Sequence, residues 1–276
     1  TFIQDDIFDI LTPTCNVHKA KILMCSTPKF KTGFFYRYFN AGEEGNNKVY
    51  SYDWTKYDTS ALLSNEMLEE YRKMMPANQF ISEYLGQFLD ADGMVFSGFK
   101  DCMFPKDSFS DCSKVWIGID WGSGGGNDYT SISGINEKGE QVICEYWNNL
   151  STTQQIDRLE EILRPISPCI QLIIPELNSI GTPLTDLLKD RMPGLPIYGE
   201  NTTNESKTSM VSDLQVAFEQ KKIKLSDDQL QLQELSTYEA TLNPKTKSIS
   251  YNAPLGLHDD SVISLMYSWK AFGKSN

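Results

Sequence analysis

Val115-Trp-Ile-Gly-Ile-Asp-Trp-Gly122 is the stretch on which the reading of this chain turns. A short apolar run closed by a glycine-rich turn (Gly122 to Gly126) predicts a buried strand over Val115–Asp120. Downstream, Tyr129–Asn136 and Gln141–Trp147 flank Glu137-Lys-Gly139 and read as a hairpin. Ser151-x-x-Gln154 is a capping box that opens a helix through Leu163. Strand and helix then alternate: Ile170–Ile174 extended, Pro183–Arg191 helical, Ile197–Gly199 extended, Ser206–Glu219 helical. Ile223–Leu225 is a further pairing segment, Asp228–Thr237 a helix, Ser248–Tyr251 extended, and His258–Phe272 the last helix. A three-strand meander followed by βα units predicts an α/β domain with a mixed sheet flanked by helices.

Upstream the pattern differs. Lys21–Ser26 is apolar enough for a buried strand and is stopped by Thr27-Pro28. Gly33–Phe39 is aromatic-rich, Ala41–Lys48 reads as a polar loop, and Val49–Trp54 as a strand. Ser64 caps a helix carrying Met67, Leu68, Tyr71 and Met74 at helical spacing. A shorter helix fits Gln79–Leu85, ending at Gly86, and Gly93–Phe96 reads as a short strand. Lys100–Ser113 is polar with little periodicity, so the expected domains are 1–105 and 113–276. Thr1-Phe2-Ile3 opens without Met inside what reads as structured sequence, and the expectation is a fragment of a longer protein.

Composition narrows the function classes. At 276 residues and 40% hydrophobic, either part can bury a core. No apolar run reaches membrane-spanning length and no leader-like segment is present, so no membrane partner is expected. The net charge of −12 argues against binding nucleic acid by bulk electrostatics. It leaves room for a carboxylate site that attracts phosphate once divalent cations fill it. Six cysteines without a C-x-x-C pair, and only His18 and His258 beside them, argue against zinc. All six read as small buried hydrophobes.

Four acids stand out. Asp120 ends a buried strand, where a carboxylate is costly without a cationic partner; the alternative is a residue starting the Gly-rich turn. Glu176 in Ile173-Ile-Pro-Glu-Leu-Asn178 follows a strand directly, or is a first-turn helix acid. Asp259 and Asp260 open the last helix, where adjacent aspartates often act only as caps. Asp259 lies on the stripe of Val262, Met266 and Trp269 at i+3 and i+7, and Asp260 about 100° away, which favours Asp259 as the inward member. Three acidic positions from two strand ends and one helix start suit Mg²⁺ or Mn²⁺ held in pairs for phosphodiester hydrolysis. Asp128 is a candidate for a water-mediated contact, or a turn residue.

In this order the acids resemble the ribonuclease H-like nuclease domain of the large terminase subunit of tailed bacteriophages. The pieces are Gly118-Ile-Asp120-Trp-Gly122 with Asn127-Asp-Tyr-Thr130, Ile174-Pro-Glu-Leu-Asn-Ser179 with Gly181, Thr202-Thr-Asn-Glu-Ser-Lys207, and His258-Asp-Asp260. The resemblance implies a mixed five-stranded core sheet and two divalent metals. It implies cutting of concatemeric double-stranded DNA during genome packaging, with Asp120, Glu176, Asp259 and Asp260 as catalytic acids. A portal and a small terminase subunit are the implied partners, and the host cell cytoplasm the setting. Lys207 would face the DNA, or is a plain surface lysine.

The first part resembles the C-terminal end of the same family's packaging ATPase. Met24-Cys-Ser-Thr-Pro28 is similar to the coupling motif, on Ser26 and Thr27, and Phe80-Ile-Ser-Glu-Tyr-Leu-Gly86 to the approach to the linker. The phosphate-binding G-x-x-x-x-G-K-[ST] loop is absent, and Lys31-Thr32-Gly33 is no substitute. ATP hydrolysis is therefore expected only of a full-length form. Three other classes stay open. A junction resolvase or transposase shares the acids, and an actin- or sugar-kinase-type nucleotide binder shares the Gly118-Ile-Asp-Trp-Gly segment. The third is a catalytically silent packaging scaffold. The aromatic group Phe34, Phe35, Tyr36, Tyr38 and Phe39 reads as core, and Lys221-Lys-Ile-Lys224 as a solvated helix end.

Overall fold

A computed structural model describes residues 5–17, 20–28, 31, 33–46, 48–56, 63–89, 95–105, 113–123, 128–242 and 248–274. By contacts the chain divides into one unit of 1–93 with 241–250 and another of 94–240 with 251–276.

In the second unit, β2 (Val115–Asp120) pairs antiparallel with β3 (Thr130–Asn136), which pairs antiparallel with β4 (Gln141–Trp147). On its other side β2 pairs in parallel with β5 (Ile170–Pro175), giving the order β4-β3-β2-β5. The mixed sheet expected from the sequence is therefore present. The hairpin turns at Gly139, whose φ of 75° is open to glycine at little cost.

Strand alternation assigns the two faces. Val115, Ile117 and Ile119 share a core with Ile156, Leu159, Leu184 and Leu188. These come from α5 (Thr152–Leu163) and α6 (Gly181–Arg191). Ser151 and Gln154 cap α5 reciprocally, as its sequence predicts. Trp116 points the other way, into a core with α7 (Asn204–Glu219), α8 (Gln229–Thr237) and α9 (Asp260–Gly273). Helix α9 lies along β2, with Trp116 edge-on to Phe272 near the helix end. A Cβ on Gly118 would sit 2.1 Å from the Ser264 carbonyl, so only glycine lets the α9 backbone approach the strand this closely.

The segment Ile197–Gly199, expected as a strand, is a broken ladder outside β5, with parallel bridges at Ile173–Ile197 and Glu176–Glu200. Ile173 N donates to the Pro196 carbonyl, and Glu200 N to the Pro175 carbonyl. The missing link is the amide that Pro175 lacks. Residues 95–104 pack into this unit as well: Val95, Phe96, Phe99 and Cys102 are buried with α7 and α9. β1 (Met103–Phe104) pairs in parallel with β6 (Leu225–Ser226). The polar stretch 106–112 lies outside the described residues. β7 (Glu239–Leu242) and β8 (Ile249–Asn252) form a separate two-stranded sheet.

The other unit contains α1 (Asp5–Val17), α2 (Gly33–Glu43), α3 (Asn65–Met74) and α4 (Ala77–Glu83). Ser64 caps α3 through the Met67 amide, as expected. The aromatic run is helical and packs as core. Phe34 stacks on Phe8 at 4.2 Å, and Phe35, Tyr36 and Phe39 gather around Phe88. Two expected strands are absent. Lys21–Ser26 is irregular, with Leu23 94% exposed, and Val49–Trp54 leads into a single 3-10 turn. A strand needs a neighbour for its backbone groups; the described residues offer these two none. Val95-Phe96, also expected as a strand end, forms a bend whose side chains plug the second unit's core. Among the cysteines, Cys102 is buried but Cys25 is exposed, contrary to the uniform burial expected. No described helix is long and apolar enough to cross a membrane.

Candidate active site

Asp120 has the same strand parity as Trp116, and Glu176 that of Ile174, so alternation turns both acids toward the α9 side of the sheet. Parallel pairing brings them together. Ile119 is in register with Pro175, and Glu176 N donates to the Ile119 carbonyl at 2.9 Å. The two carboxyl groups share a hydrogen bond, and burial followed by the Glu176 charge pushes the Asp120 carboxyl well above the usual carboxylate range. Asp260 and Asp259 push it further in the same direction. Three positions far apart in sequence thus form one electrostatic cluster.

The surrounding loops hold these groups. Trp121 Nε1 donates to Thr185 Oγ1 at 3.2 Å, and Gly122 N to Thr130 Oγ1 at 2.8 Å. Beyond Glu176 the chain turns so tightly that a Cβ on Gly181 would meet the Glu176 carbonyl at 2.1 Å. Asn178 Nδ2 donates to Glu176 Oε1 at 3.1 Å and to the Thr202 carbonyl at 3.0 Å, orienting the glutamate.

Asp259 is the N-cap residue of α9, with φ −133° and ψ 14°, and so lies outside the helical periodicity used to place it inward. Its side chain is 25% exposed and that of Asp260 16%, so Asp260 is the deeper of the two. Asp260 Oδ2 accepts from Tyr129 N at 3.3 Å and faces His258 Nδ1 at 3.6 Å. Burial raises the Asp260 carboxyl to about 7, against the lowering effect of the Tyr129 amide. Asp259 Oδ2 takes an ion pair from Lys207 Nζ at 3.3 Å, and the same ammonium donates to Asn252 Oδ1 at 3.1 Å. Lys207 is thus largely buried against the acids.

Asp128 is exposed, and Gly124–Asn127 lie outside the described residues. Ser26 and Thr27 lie in the first unit, in an irregular segment whose Pro28 carbonyl accepts from Ser82 Oγ on α4. Sequence reading passed over Asn178 as an orienting group, and Glu234 altogether. Glu234 is 3% exposed on the buried face of α8 with Gln231 and Leu235. A glutamate at i+3 from one buried residue and beside another was the signal available.

The donors are all carboxylate oxygens, which suits hard divalent cations. Mutual repulsion among buried acids supplies the attraction for such a cation. Among the described residues no three His, Cys, Asp or Glu groups are already drawn in closely enough to hold a metal ion, and Lys207 stands on Asp259. By contrast Glu200, on the neighbouring edge and also partly buried, is neutralised by Lys270 and Lys274, which hold its carboxyl below the usual range.

Residues 117–268 match the family model described as the terminase RNase H-like domain. No curated protein matches the sequence. The large terminase nuclease of the thermophilic phage G20c shares the fold at a TM-score of 0.55 and 19% identity, covering 64% of this chain and 97% of that one. The same nuclease with bound magnesium gives 0.54 at 19% identity, over 65% and 98%. The large terminase of the thermophilic bacteriophage D6E aligns over 95% of this chain at a TM-score of 0.62 and 15% identity. The present chain spans 66% of that protein. At such identities these likenesses concern the fold, while the family model covers more than half of the chain. The chain therefore belongs to the terminase RNase H-like domain family.

Proposed function

We propose that the second unit is the metal-dependent endonuclease of a viral DNA-packaging terminase, acting on concatemeric double-stranded DNA. The observation that carries this reading is the contact between Asp120 and Glu176 at adjacent strand ends, with Asp259 and Asp260 close enough to perturb Asp120. Asp120, Glu176, Asp260 and Asp259 would hold two Mg²⁺ or Mn²⁺ ions. When bound, such ions supply Lewis-acid stabilisation of the attacking and leaving oxygens of a phosphodiester. The chain's own residues prepare the site. Asn178 aims Glu176, the Tyr129 amide holds Asp260, and Gly118 lets α9 settle against β2. Lys207 would leave Asp259 as cations enter and would then be free to meet a DNA phosphate. Asp128, exposed beside the site, remains a candidate for a water-mediated contact.

On this reading residues 1–105 are the end of a packaging ATPase domain and its linker, with Ser26 and Thr27 in the coupling motif, and 113–276 the nuclease. ATP would act only on a form carrying the phosphate loop. A portal, a small terminase subunit and the host cell cytoplasm belong to the same proposal. Supercoiled plasmid with Mn²⁺ tests it: wild type should nick and linearise the DNA, and Asp120→Ala should not. Equal cutting by both proteins would refute the assignment.

A second reading, a packaging scaffold without catalysis, is favoured by Lys207 standing on Asp259 and by the lack of a closed metal-ligand group among the described residues. Calorimetric titration with Mn²⁺ separates the two, since a scaffold would take up no ion at these acids.

A further inference from the structure

Helix α9 starts beneath the candidate site, and its first amides need acceptors from outside the helix. An aspartate at the N-cap ordinarily turns its own carboxylate onto the second or third amide. Asp259 makes no such bond; its carboxylate faces Lys207 instead. The acceptor comes from α8. Glu234 Oε2 receives Ser261 N at 2.8 Å and Ser261 Oγ at 2.5 Å.

Glu234 is an expensive choice for that task. It is 3% exposed, it lies near Asp259 and Asp260, and its Oε1 has no hydrogen-bond partner among the described residues. A buried carboxylate beside two others is repelled by both, and a serine or aspartate cap on the chain itself would hold the helix at lower cost. What this arrangement achieves is to leave both Asp259 and Asp260 uncommitted to the helix end.

We propose that Glu234 is a positioning residue: by capping α9 from the neighbouring helix it frees the Asp259 and Asp260 carboxylates to bind a divalent cation. The proposal rests on the metal-site reading above. It concerns how the acids are presented, and Glu234 itself takes no part in coordination.

The test uses the 276-residue chain with Glu234→Gln and Glu234→Met. Glutamine keeps an acceptor for Ser261; methionine fills the volume without one. Mn²⁺ affinity is read by calorimetry, and the first turn of α9 by amide hydrogen exchange. Glu234→Gln should bind Mn²⁺ within about threefold of wild type, whereas Glu234→Met should lose about tenfold or more, in the range seen for groups that orient metal ligands. Exchange at Ser261 should accelerate by a similar factor in Glu234→Met alone. Should that variant not fold, Glu234→Asp, whose shorter side chain withdraws the acceptor, should show the same pair of losses.

Wild-type affinity in folded Glu234→Met overturns the proposal. So does Glu234→Gln binding as weakly as Glu234→Met, which would make the charge, not the cap, the active feature. Wild type that takes up no Mn²⁺ overturns the metal-site reading and this proposal with it, so the two failures are distinguishable.

Discussion

Asp260 is buried among other acids, and neutralising it in the metal-free protein should stabilise the fold in a pH-dependent way. Its carboxyl is raised from 3.8 to about 7. Between those values the folded chain keeps a proton that the unfolded chain has released. Stability must therefore fall as pH rises through that window, and it is fully retained only below the lower value. At about 1.4 kcal/mol per tenfold change in proton affinity, the complete effect is roughly 4 kcal/mol. Between pH 5 and pH 8 the part expressed is between roughly 2 and 3 kcal/mol, most of it below pH 7. Asp260→Asn keeps an acceptor for the Tyr129 amide but carries no charge. Its stability advantage over wild type should grow by that amount from pH 5 to pH 8, measured by urea unfolding in EDTA. Asp120 and Glu234 are raised in the same sense, chiefly by burial, and both interact with Asp260, so the difference between the two proteins reports Asp260 together with its coupling to these neighbours. An advantage that changes by less than about 1 kcal/mol, or shrinks with pH, would refute the argument that Asp260 is held in an unrelieved acidic cluster. Mn²⁺ should reverse the ranking, because a bound cation favours the ionised side chain.

Four further outcomes follow from the same geometry. Mn²⁺ should raise the melting temperature of wild type but not of Asp120→Asn. Its affinity should weaken at least about tenfold per pH unit below pH 7, as a proton must leave Asp260 and the Asp120 carboxyl is raised in the same sense; a pH-independent affinity would contradict this. Gly118→Ala should cost about 2–3 kcal/mol or more in urea unfolding, because the added carbon would lie 2.1 Å from the Ser264 backbone carbonyl. Wild-type stability there would show that α9 is not seated on β2 as described. Asn178→Ala should weaken Mn²⁺ binding about tenfold while changing stability by only about 1 kcal/mol, since its amide orients Glu176 from an exposed position. Loss of stability without loss of affinity would make Asn178 a loop brace only.

Much of the architecture was legible in local sequence. Hydrophobic runs of strand length, the Glu137-Lys-Gly139 turn and the Ser151–Gln154 cap determine the hairpin and α5, because each depends on residues a few positions apart. The same locality misled at Lys21–Ser26 and Val49–Trp54, whose composition suits strands but which have no described neighbour to pair with. The cluster of acids is a tertiary result. Asp120 meets Glu176 through parallel pairing of β2 and β5, 56 residues apart by their numbers, and meets Asp260 through the glycine that admits α9. Periodicity favoured Asp259 as the inward aspartate because it treated that residue as helical. The backbone instead begins the helix one residue later, at Asp260, and buries Asp260 more deeply. The cap that holds this helix end, Glu234, comes from another helix altogether. The sequence by itself determined which segments form strands and helices and which acids end them, since alternation, turns and caps are short-range. Which of those acids share one site, which lies deeper and what holds it there were decided only when distant elements packed, because burial and charge–charge repulsion act through space.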